Sequence, residues 1–333
     1  MKEIKISICI PVYNRAKELN NLLESLINEV KNEEIQIVIS DNASEDEIEE
    51  VILKYKNVFK NFKYIKSEKN MGFDANLDKV INYSDGEYIW LMGSDDLITE
   101  NAITELQNEI KNKKFDIYIL NGKVKMRNEI INRNGLRVNQ NKEYLNLNQN
   151  LEIYINDIKN DISLFFAFIS SLVIKREKYL ENTIPIELKN SIYDHVYKIL
   201  KMTEKNIDLK YLHNCFYIAG DNKNDWNNIV GKHFFIDISA MGRFISNIYK
   251  GEKERKMKKT LGKLFKRNSK GLKQILNIYY AKENDLIDDL EKYLKYFGLY
   301  NFKYQLFKIF LANGIVYFLL IKGIKVRNIL FYN

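Results

Sequence analysis

The first 120 residues alternate between strand and helix patterns, and this alternation limits the possible folds more than any other feature of the chain. Residues 4–10 alternate apolar with small or polar side chains up to Pro11, and residues 19–30 place their apolar side chains on one helical stripe. The same two patterns recur, as strands at 35–39, 62–65, 87–92 and 115–120 and as helices at 48–55, 75–83 and 102–110. Strands that alternate with helices form βαβ units with parallel strands. We therefore expect an α/β fold with a mixed, mostly parallel sheet and helices on both faces.

Beyond residue 120 this pattern is weaker. Residues 121–160 are rich in Asn, which favours loops and edge hairpins, whereas residues 191–202 predict one more helix. After Gly220 the pattern is helical almost to the end. The length of 333 residues favours two domains, or one domain with a large appendage, and the apolar fraction of 46% excludes a wholly disordered chain.

The charge is divided unevenly along the chain. Residues 250–333 carry 19 Lys and Arg against 7 Asp and Glu, whereas residues 1–249 carry 33 against 37, so the net charge of +8 belongs to the C-terminal part. A basic segment of this kind favours either nucleic acid or an anionic membrane surface as its partner. Because no nucleic-acid-binding motif accompanies the charge, we expect the membrane surface and no nucleic acid.

The C-terminal residues have the pattern of a helix that lies on a membrane. The apolar run at 309–321 is 13 residues long, and a spanning helix needs about 20. Aromatic residues and lysines flank this run, as in interfacial amphipathic helices. The alternative is a packed helix with a solvated basic face. No signal-peptide pattern opens the chain, so we expect a cytoplasmic protein, peripheral on the inner face of the cell membrane.

Polar clusters follow four of the predicted strands. They lie at 11–15, 40–46, 70–73 and 93–96 and contain carboxylates, amides and a glycine. In open parallel sheets, ligands bind at the carboxyl ends of the strands. Each cluster alone is equally well explained by helix capping. All four at one edge of a sheet favour a nucleotide site.

The order of these motifs carries a family resemblance. Residues 8–15, residues 41–46 and Asn70-Met71-Gly72 with Asn76 resemble the N-terminal half of family-2 glycosyltransferases. These are inverting enzymes with the Rossmann-like GT-A fold that use nucleotide-diphospho-sugars. Residues 167–176, with Gly220-Asp221-Asn222 and Trp226, are similar to the branch that builds bacterial surface glycans, which includes abequosyltransferase-like enzymes.

The resemblance implies how the chain is organised. A GT-A domain is expected over residues 1–230, with the nucleotide-sugar half at 1–120 and the acceptor half at 121–230. A helical, basic and membrane-associating region is expected over residues 231–333. Nucleotide binding is implied for seven residues: Pro11, Tyr13, Arg15, Asp41, Asn70, Gly72 and Ser94.

Within that set, the resemblance gives Asp41 the most specific role. Its carboxylate would accept a hydrogen bond from the N–H of the nucleobase, which favours a UDP-sugar as the donor. A fixed carboxylate facing an N–H forms a strong, charge-assisted bond. Gly72 would let the backbone approach the ribose and phosphates.

The segment Gly93-Ser94-Asp95-Asp96 stands where the family usually has Asp-X-Asp-Asp. The resemblance implies that Asp95 binds a divalent cation, magnesium or manganese, and that Asp96 faces the sugar as a catalytic residue. Such a cation bridges the two phosphates and neutralises the leaving diphosphate. Gly93 replaces the first acid of the motif, which leaves fewer protein oxygens for the metal.

An inverting transfer also needs a carboxylate that takes the proton of the acceptor hydroxyl. In the family this base begins a helix about a hundred residues after the metal motif, and Asp194 stands 99 residues after Asp95. Tyr193 replaces the acid that often precedes it. His195 is an alternative base because its ordinary pKa is nearer neutrality, and a helix cap is the structural alternative for Asp194. The acceptor side is expected to include His195, Asn222 and Trp226.

The sequence therefore predicts a metal-dependent, inverting glycosyltransferase. It would move a sugar from a nucleotide-diphospho-sugar to a lipid-linked glycan acceptor in bacterial surface polysaccharide or glycoconjugate synthesis. One alternative is a sugar-phosphate nucleotidyltransferase, which would need a Gly-rich basic loop that residues 11–15 do not provide. The other is a non-catalytic glycan- or lipid-binding module, which the replacements Gly93 and Tyr193 keep open.

Overall fold

The structure is a computed structural model that describes residues 5–30, 33–126, 129–133, 136–159, 164–220, 230–267 and 291–299. It divides the chain into two compact units, Met1–Lys223 and Asn224–Asn333. The first unit contains the sheet and the four polar clusters, and the second contains helices.

The described part of the first unit is built on one ten-stranded sheet. Its strands are β1 (Ile6–Val12), β2 (Ile35–Asp41), β3 (Phe62–Lys66), β4 (Tyr88–Leu91), β5 (Leu97–Ile98), β6 (Ile117–Met126), β7 (Glu129–Asn132), β8 (Lys142–Tyr144), β9 (Leu172–Lys175) and β10 (Leu209–Ala219). Its helices are α1 (Ala16–Ile27), α2 (Ile48–Tyr55), α3 (Phe73–Asn82), α4 (Ala102–Asn112), α5 (Leu147–Asp157), α6 (Arg176–Leu180) and α7 (Asp194–Met202).

The strand order is β3-β2-β1-β4-β9-β6-β10-β5, with β7 paired to β6 and β8 to β10. The first four strands are parallel, and β9 runs antiparallel between β4 and β6. Every residue of β1 and β2 is buried, which requires a covering layer on each face of the sheet. The α/β alternation predicted for the first 120 residues is confirmed, and so is the mixed, largely parallel sheet.

Strand β1 continues past Pro11, which the sequence pattern placed at its end. The carbonyl of Cys9 accepts a hydrogen bond from the N–H of Met92, and that of Val12 accepts one from Asn42. Successive residues of a strand direct their backbone N–H and C=O groups to opposite neighbouring strands. Pro11, two residues after Cys9, therefore has its nitrogen on the same side as Cys9, toward β4. The last β1–β4 pair is Cys9 with Leu91, so the missing N–H of Pro11 falls beyond the end of β4 and costs no ladder bond.

Residues 121–160 are more regular than predicted. Strand β6 runs on to Met126, and α5 follows within the Asn-rich segment. The apolar pattern breaks at Gly122 because a Cβ there would lie 2.4 Å from ring atoms of Tyr217 on β10. The neighbouring Asn121 donates from its side chain to the carbonyl of His213, at 2.8 Å. Both residues serve the pairing of β6 with β10, a strand that the sequence pattern did not predict.

The second unit begins with α8 (Val230–Ile248) and α9 (Gly251–Arg267). The predicted helical character is confirmed over these residues. Helix α9 buries an apolar stripe that includes Met257, Leu261 and Leu264. In the described residues, no helix is long and apolar enough to cross a bilayer. The apolar run at 309–321 lies outside the described residues.

Candidate active site

The loops after β1 and β2 are joined by hydrogen bonds. The N–H of Asn14 donates to the hydroxyl of Ser44 at 2.9 Å, and the N–H of Ala16 donates to the carboxylate of Asp46 at 2.7 Å. Asp46 therefore holds the start of α1. This junction presents Tyr13, whose exposed fraction is 41%, and Arg15 at the carboxyl edge of the sheet, and Pro11 is buried in β1 beneath them.

A second junction holds the loop after β3. The side-chain N–H of Asn42 donates to the side-chain oxygen of Asn70 at 2.7 Å and to the carbonyl of Gly72 at 3.2 Å. Its side-chain oxygen accepts from the N–H of Met71 at 2.9 Å. Gly72 has a φ of +83° and precedes α3 directly. Asn70 and Gly72 are exposed, and their predicted contact with a nucleotide stays a prediction.

Asp41 is enclosed by its own loop and by Tyr64 of β3. Its carboxylate is fully buried and accepts hydrogen bonds from the N–H of Ser44 at 2.9 Å and from the hydroxyl of Tyr64 at 2.8 Å. A nucleobase could reach Asp41 only after this arrangement opened. In the structure Asp41 shapes the loop after β2, and direct contact with the nucleobase stays a prediction.

The turn after β4 places Asp95 beside Arg15. A guanidinium nitrogen of Arg15 lies 3.0 Å from the carboxylate of Asp95, and both side chains are partly exposed. Two residues that the resemblance assigned to different ligands, the nucleotide and the metal, therefore contact each other. Ser94, also predicted to bind nucleotide, is buried in the same turn.

Asp96 points into the protein from this turn. One carboxylate oxygen accepts from the N–H of Gly220 at 2.9 Å, and the other accepts from the hydroxyl of Ser170. The same hydroxyl accepts from the N–H of Gly93 at 2.9 Å. Burial, and then the charge of Asp95, raise the pKa of the Asp96 carboxyl above its ordinary value. Asp96 thus joins β4, β9 and β10 at the site, and its predicted contact with the sugar stays a prediction.

Gly93 is required by the packing of this turn. A Cβ at position 93 would lie 2.9 Å from a carboxylate oxygen of Asp96 and 3.2 Å from one of Asp95. Within the described ranges, no group of three or more His, Cys, Asp or Glu side chains is arranged to hold a metal ion. The carboxylate of Asp95 is a hard oxygen ligand of the kind that Mg²⁺ and Mn²⁺ take, together with phosphate and water oxygens. The residues present therefore fit a cation held mainly by the donor and by Asp95.

Asp194 begins α7, as the sequence predicted for the base. Its carboxylate accepts from the N–H groups of Asn190 and Ser191, both at 3.1 Å, and from the hydroxyl of Ser191 at 2.9 Å. These donors all precede α7, so the carboxylate holds the loop before the helix and does not cap the helix itself. A role of Asp194 in proton transfer stays a prediction. Its backbone N–H donates to the carboxylate of Asp74 on α3 at 3.2 Å.

His195 is buried beside Asp194, with 2% of its surface exposed. Burial lowers the pKa of its imidazole to about 4. The ring of Phe73 meets it edge-on, with ring centres 6.4 Å apart. Asp194 is buried as well, with 5% of its surface exposed, so burial alone does not separate the two residues, and the choice of Asp194 as the base stays a prediction. Asn222 and Trp226, predicted for the acceptor side, lie outside the described residues.

Several residues at the site had no predicted role. Arg133 stacks its guanidinium 4.0 Å from the ring centre of Phe168 and donates to the hydroxyl of Tyr217 at 2.9 Å. The charge of Arg133 counteracts part of the rise in the pKa of the Asp96 carboxyl. Ser170 lies in the segment that resembles the surface-glycan branch, which is the one signal that pointed toward it. Asp74, two residues after Gly72, had none.

Comparison with known proteins places these features in a family. The model of glycosyl transferase family 2 matches residues 7–179. Abequosyltransferase RfbV of Salmonella typhimurium is 31% identical over 255 residues, which cover 73% of this chain and 75% of that protein. The poly(ribitol-phosphate) β-N-acetylglucosaminyltransferase TarP of Staphylococcus aureus is 26% identical and covers 75% of this chain and 76% of its own.

Solved structures agree with this assignment at the level of the fold. TarS residues 1–349 of S. aureus, in complex with UDP-GlcNAc, superposes with a TM-score of 0.66 at 18% identity and covers 88% of this chain and 81% of that one. The mannosyltransferase PcManGT of Pyrobaculum calidifontis, in complex with GDP-Man and Mn²⁺, gives a TM-score of 0.53 at 11% identity, with 90% and 85% covered. The predicted GT-A fold is confirmed. The chain belongs to glycosyl transferase family 2 and is a nucleotide-sugar-dependent glycosyltransferase.

Proposed function

We propose that the chain transfers a sugar, with inversion, from a UDP-sugar to a hydroxyl group of a lipid-linked bacterial glycan. The observation that carries this proposal is the position of Asp194 at the start of α7, with its carboxylate held in the loop that α3 contacts. An inverting transfer needs a carboxylate base on the acceptor side of the anomeric carbon. Family membership disfavours both alternatives, the nucleotidyltransferase and the non-catalytic module.

The donor is proposed to lie along the carboxyl edge of β1, β2 and β4. Arg15 supplies positive charge for a diphosphate, and the exposed residues Asn70 and Gly72 would let the donor approach the loop after β3 closely. UDP is favoured because the structural neighbour TarS was solved with UDP and with UDP-GlcNAc. A screen of UDP-, GDP-, CDP- and dTDP-sugars by thermal shift and donor hydrolysis tests this choice. Stabilisation by CDP-sugars alone would contradict it.

Magnesium or manganese is proposed as the cofactor. Asp95 would hold the cation, and Arg15 would remain close to the phosphates. When bound, the cation neutralises charge on the leaving diphosphate. GT-A glycosyltransferases typically use such ions, and the neighbour PcManGT was solved with Mn²⁺. We expect EDTA to abolish transfer and either ion to restore it, whereas full activity in EDTA would show that Arg15 alone suffices.

Asp194 is proposed as the general base. Removing a general base typically costs about 10²–10⁴ in rate, so we expect Asp194→Asn to lower kcat at least about a hundredfold while UDP affinity, measured by calorimetry, stays the same. His195→Ala is the matched control at the adjacent position. A larger loss in His195→Ala than in Asp194→Asn would exchange the two roles.

The inner face of the cell membrane is proposed as the location, through the basic region that begins at α9. Five cations of α9 are exposed, while Met257 and Leu261 face the other way and are buried. The exposed set is Arg255, Lys256, Lys259, Lys263 and Lys266. Each basic residue near an anionic surface contributes about 1 kcal/mol, so the set supports reversible attachment close to a lipid-linked acceptor.

Sedimentation with vesicles tests this location. We expect the full chain to bind vesicles that contain phosphatidylglycerol and not pure phosphatidylcholine. Replacing Lys259, Lys263 and Lys266 with Glu should reduce binding strongly. The matched control replaces three exposed lysines of the first unit, Lys54, Lys60 and Lys69, with Glu. Equal loss in both triple variants, or a shift of duplex DNA at physiological salt without vesicle binding, would contradict the proposal.

A further inference from the structure

Helix α3 is hydrogen-bonded to the loop that leads into Asp194. The carboxylate of Asp74 accepts a hydrogen bond from the N–H of Ile192 through one oxygen, at 2.7 Å, and from the N–H of Asp194 through the other, at 3.2 Å. The residues are 118 and 120 positions apart in the chain. Only 6% of Asp74 is exposed, so water does not compete effectively for these bonds.

This loop, residues 190–194, has a strained backbone. Ile192 has a φ of +70° and Asn190 a φ of +60°. A positive φ is costly for a β-branched residue such as isoleucine, and it persists only where the surroundings hold it. The N–H groups of this strained segment bind carboxylates, because Asp194 accepts from the N–H of Ser191 and Asp74 accepts from that of Ile192. The loop is therefore organised around two acids.

The two acids also face each other. Burial, and then the charge of Asp194, raise the pKa of the Asp74 carboxyl. A second acid on α3, Asp78, binds Lys198 of α7 at 2.6 Å. Asp74 and Asp78 are one helical turn apart, so α3 contacts α7 at two places, one at the strained loop and one farther along the helix.

We propose that Asp74 is a positioning residue for the transfer reaction, because its bonds to Ile192 and Asp194 fix the carboxylate of Asp194 where the acceptor hydroxyl is deprotonated. The proposal rests on the assignment of Asp194 as the base. It also joins the two halves of the site, since Asp74 lies two residues beyond Gly72 of the donor loop. A displacement of about 1 Å in a reacting group costs on the order of a hundredfold in rate. Loss of the Asp74 hydrogen bonds to this loop is therefore expected to lower kcat.

Three variants separate positioning from general stability. D74N keeps the shape of the side chain but loses one of its two acceptors, and D74E keeps the charge but moves it by one methylene. D78N is the matched control, because it removes the other contact between α3 and α7. We expect D74N and D74E to lower kcat at least about tenfold with the KM for the donor unchanged. D78N should retain the kcat of the unmodified enzyme even where it melts at a lower temperature.

A double-mutant cycle then tests whether Asp74 acts through Asp194. In the D194N background, D74N should cause little further loss of kcat, because the group that it positions is already absent. Losses that multiply, or a loss of kcat in D78N equal to that in D74N, would overturn the proposal and leave Asp74 a purely structural residue.

Hydrogen–deuterium exchange tests the hydrogen bonds of Asp74 independently of the assignment of Asp194 as the base. D74N should lose protection at the amides of Ile192 and Asp194 while the central strands stay protected. Unchanged protection at these amides would show that Asp74 does not hold the loop, and would overturn the proposal. Unimpaired turnover in D194N would instead refute Asp194 as the base and, with it, the catalytic part of the proposal.

Discussion

Adding a side chain at position 93 tests how the turn after β4 is built. A Cβ there would lie 2.9 Å from a carboxylate oxygen of Asp96, closer than real Cβ contacts. The carboxylate cannot simply swing away, because Ser170 and Gly220 hold its two oxygens. We therefore expect Gly93→Ala to break at least one of these hydrogen bonds, although alanine adds only one methyl group.

The size of the effect follows from the bond that is lost. A hydrogen bond to a charged group contributes about 1.5–3 kcal/mol. In a unit of this size, 1 kcal/mol changes the melting temperature by about 2–4 °C. Gly93→Ala should therefore melt about 3–12 °C below the unmodified protein. Gly93→Asp restores the usual family motif but adds a third carboxylate beside Asp95 and Asp96, so in EDTA it should melt lower still.

Calorimetry in EDTA and then in excess Mn²⁺ distinguishes the two variants. Manganese should recover part of the loss in Gly93→Asp, because the new carboxylate gains a cation to bind, and none of the loss in Gly93→Ala beyond what the unmodified protein gains. An alanine variant as stable as the unmodified protein would refute the claim that Ser170 and Gly220 fix Asp96. Equal recovery in both variants would show that position 93 does not adjoin a cation site.

Three further outcomes are expected at the site. Ser170→Ala leaves the N–H of Gly93 without its acceptor and should lower the free energy of unfolding by about 2–5 kcal/mol, measured by urea denaturation, with Ser171→Ala as the milder control. Arg15→Gln should weaken UDP binding at least about fivefold in calorimetry at low salt, since a charge-assisted contact is lost; unchanged affinity would remove Arg15 from the donor site. The pKa of Asp74 is raised from 3.8 to about 7, so its protonated form is favoured by folding, and stability from this group is present below pH 4 and is lost as the pH rises to 7. The melting temperature of Asp74→Asn should therefore fall less between pH 4 and 7 than that of the unmodified protein, and parallel curves would contradict this.

The sequence predicted those helices, strands and polar clusters that depend only on residues close together in the chain. Helix α2 has the predicted bounds, because its apolar positions repeat at helical spacing within eight residues. The four polar clusters at the strand ends were also predictable, since parallel strands bring their carboxyl ends to one edge. Arg15 and Asp95 lie 3.0 Å apart at that edge, as two such clusters should.

The contacts that complete the site were not predictable, because they join distant parts of the chain. Ser170 reaches Asp96 across 74 positions, and nothing in the local pattern distinguishes its hydroxyl from that of Ser171. The pairing of β10 with β6 shifts register between Leu212 and Cys215 and again between Cys215 and Tyr217, which interrupts the alternation of the strand. The burial of Asp41 depends on Tyr64, from the neighbouring strand β3. Such pairings exist only once the sheet has formed.

The site holds two pairs of acids, and their surroundings suit them to different tasks. Asp95 neighbours Asp96 and contacts the guanidinium of Arg15, so the first pair offers a carboxylate for a cation beside a positive charge for a diphosphate. Asp74 and Asp194 are surrounded mainly by backbone N–H groups, which stabilise a carboxylate but cannot accept a proton. A proton that arrives at the second pair must therefore remain on one of the two carboxyl groups. That property is what the removal of a proton from an acceptor hydroxyl requires, and it is a physical reason to place the base at Asp194 and the donor phosphates at Asp95.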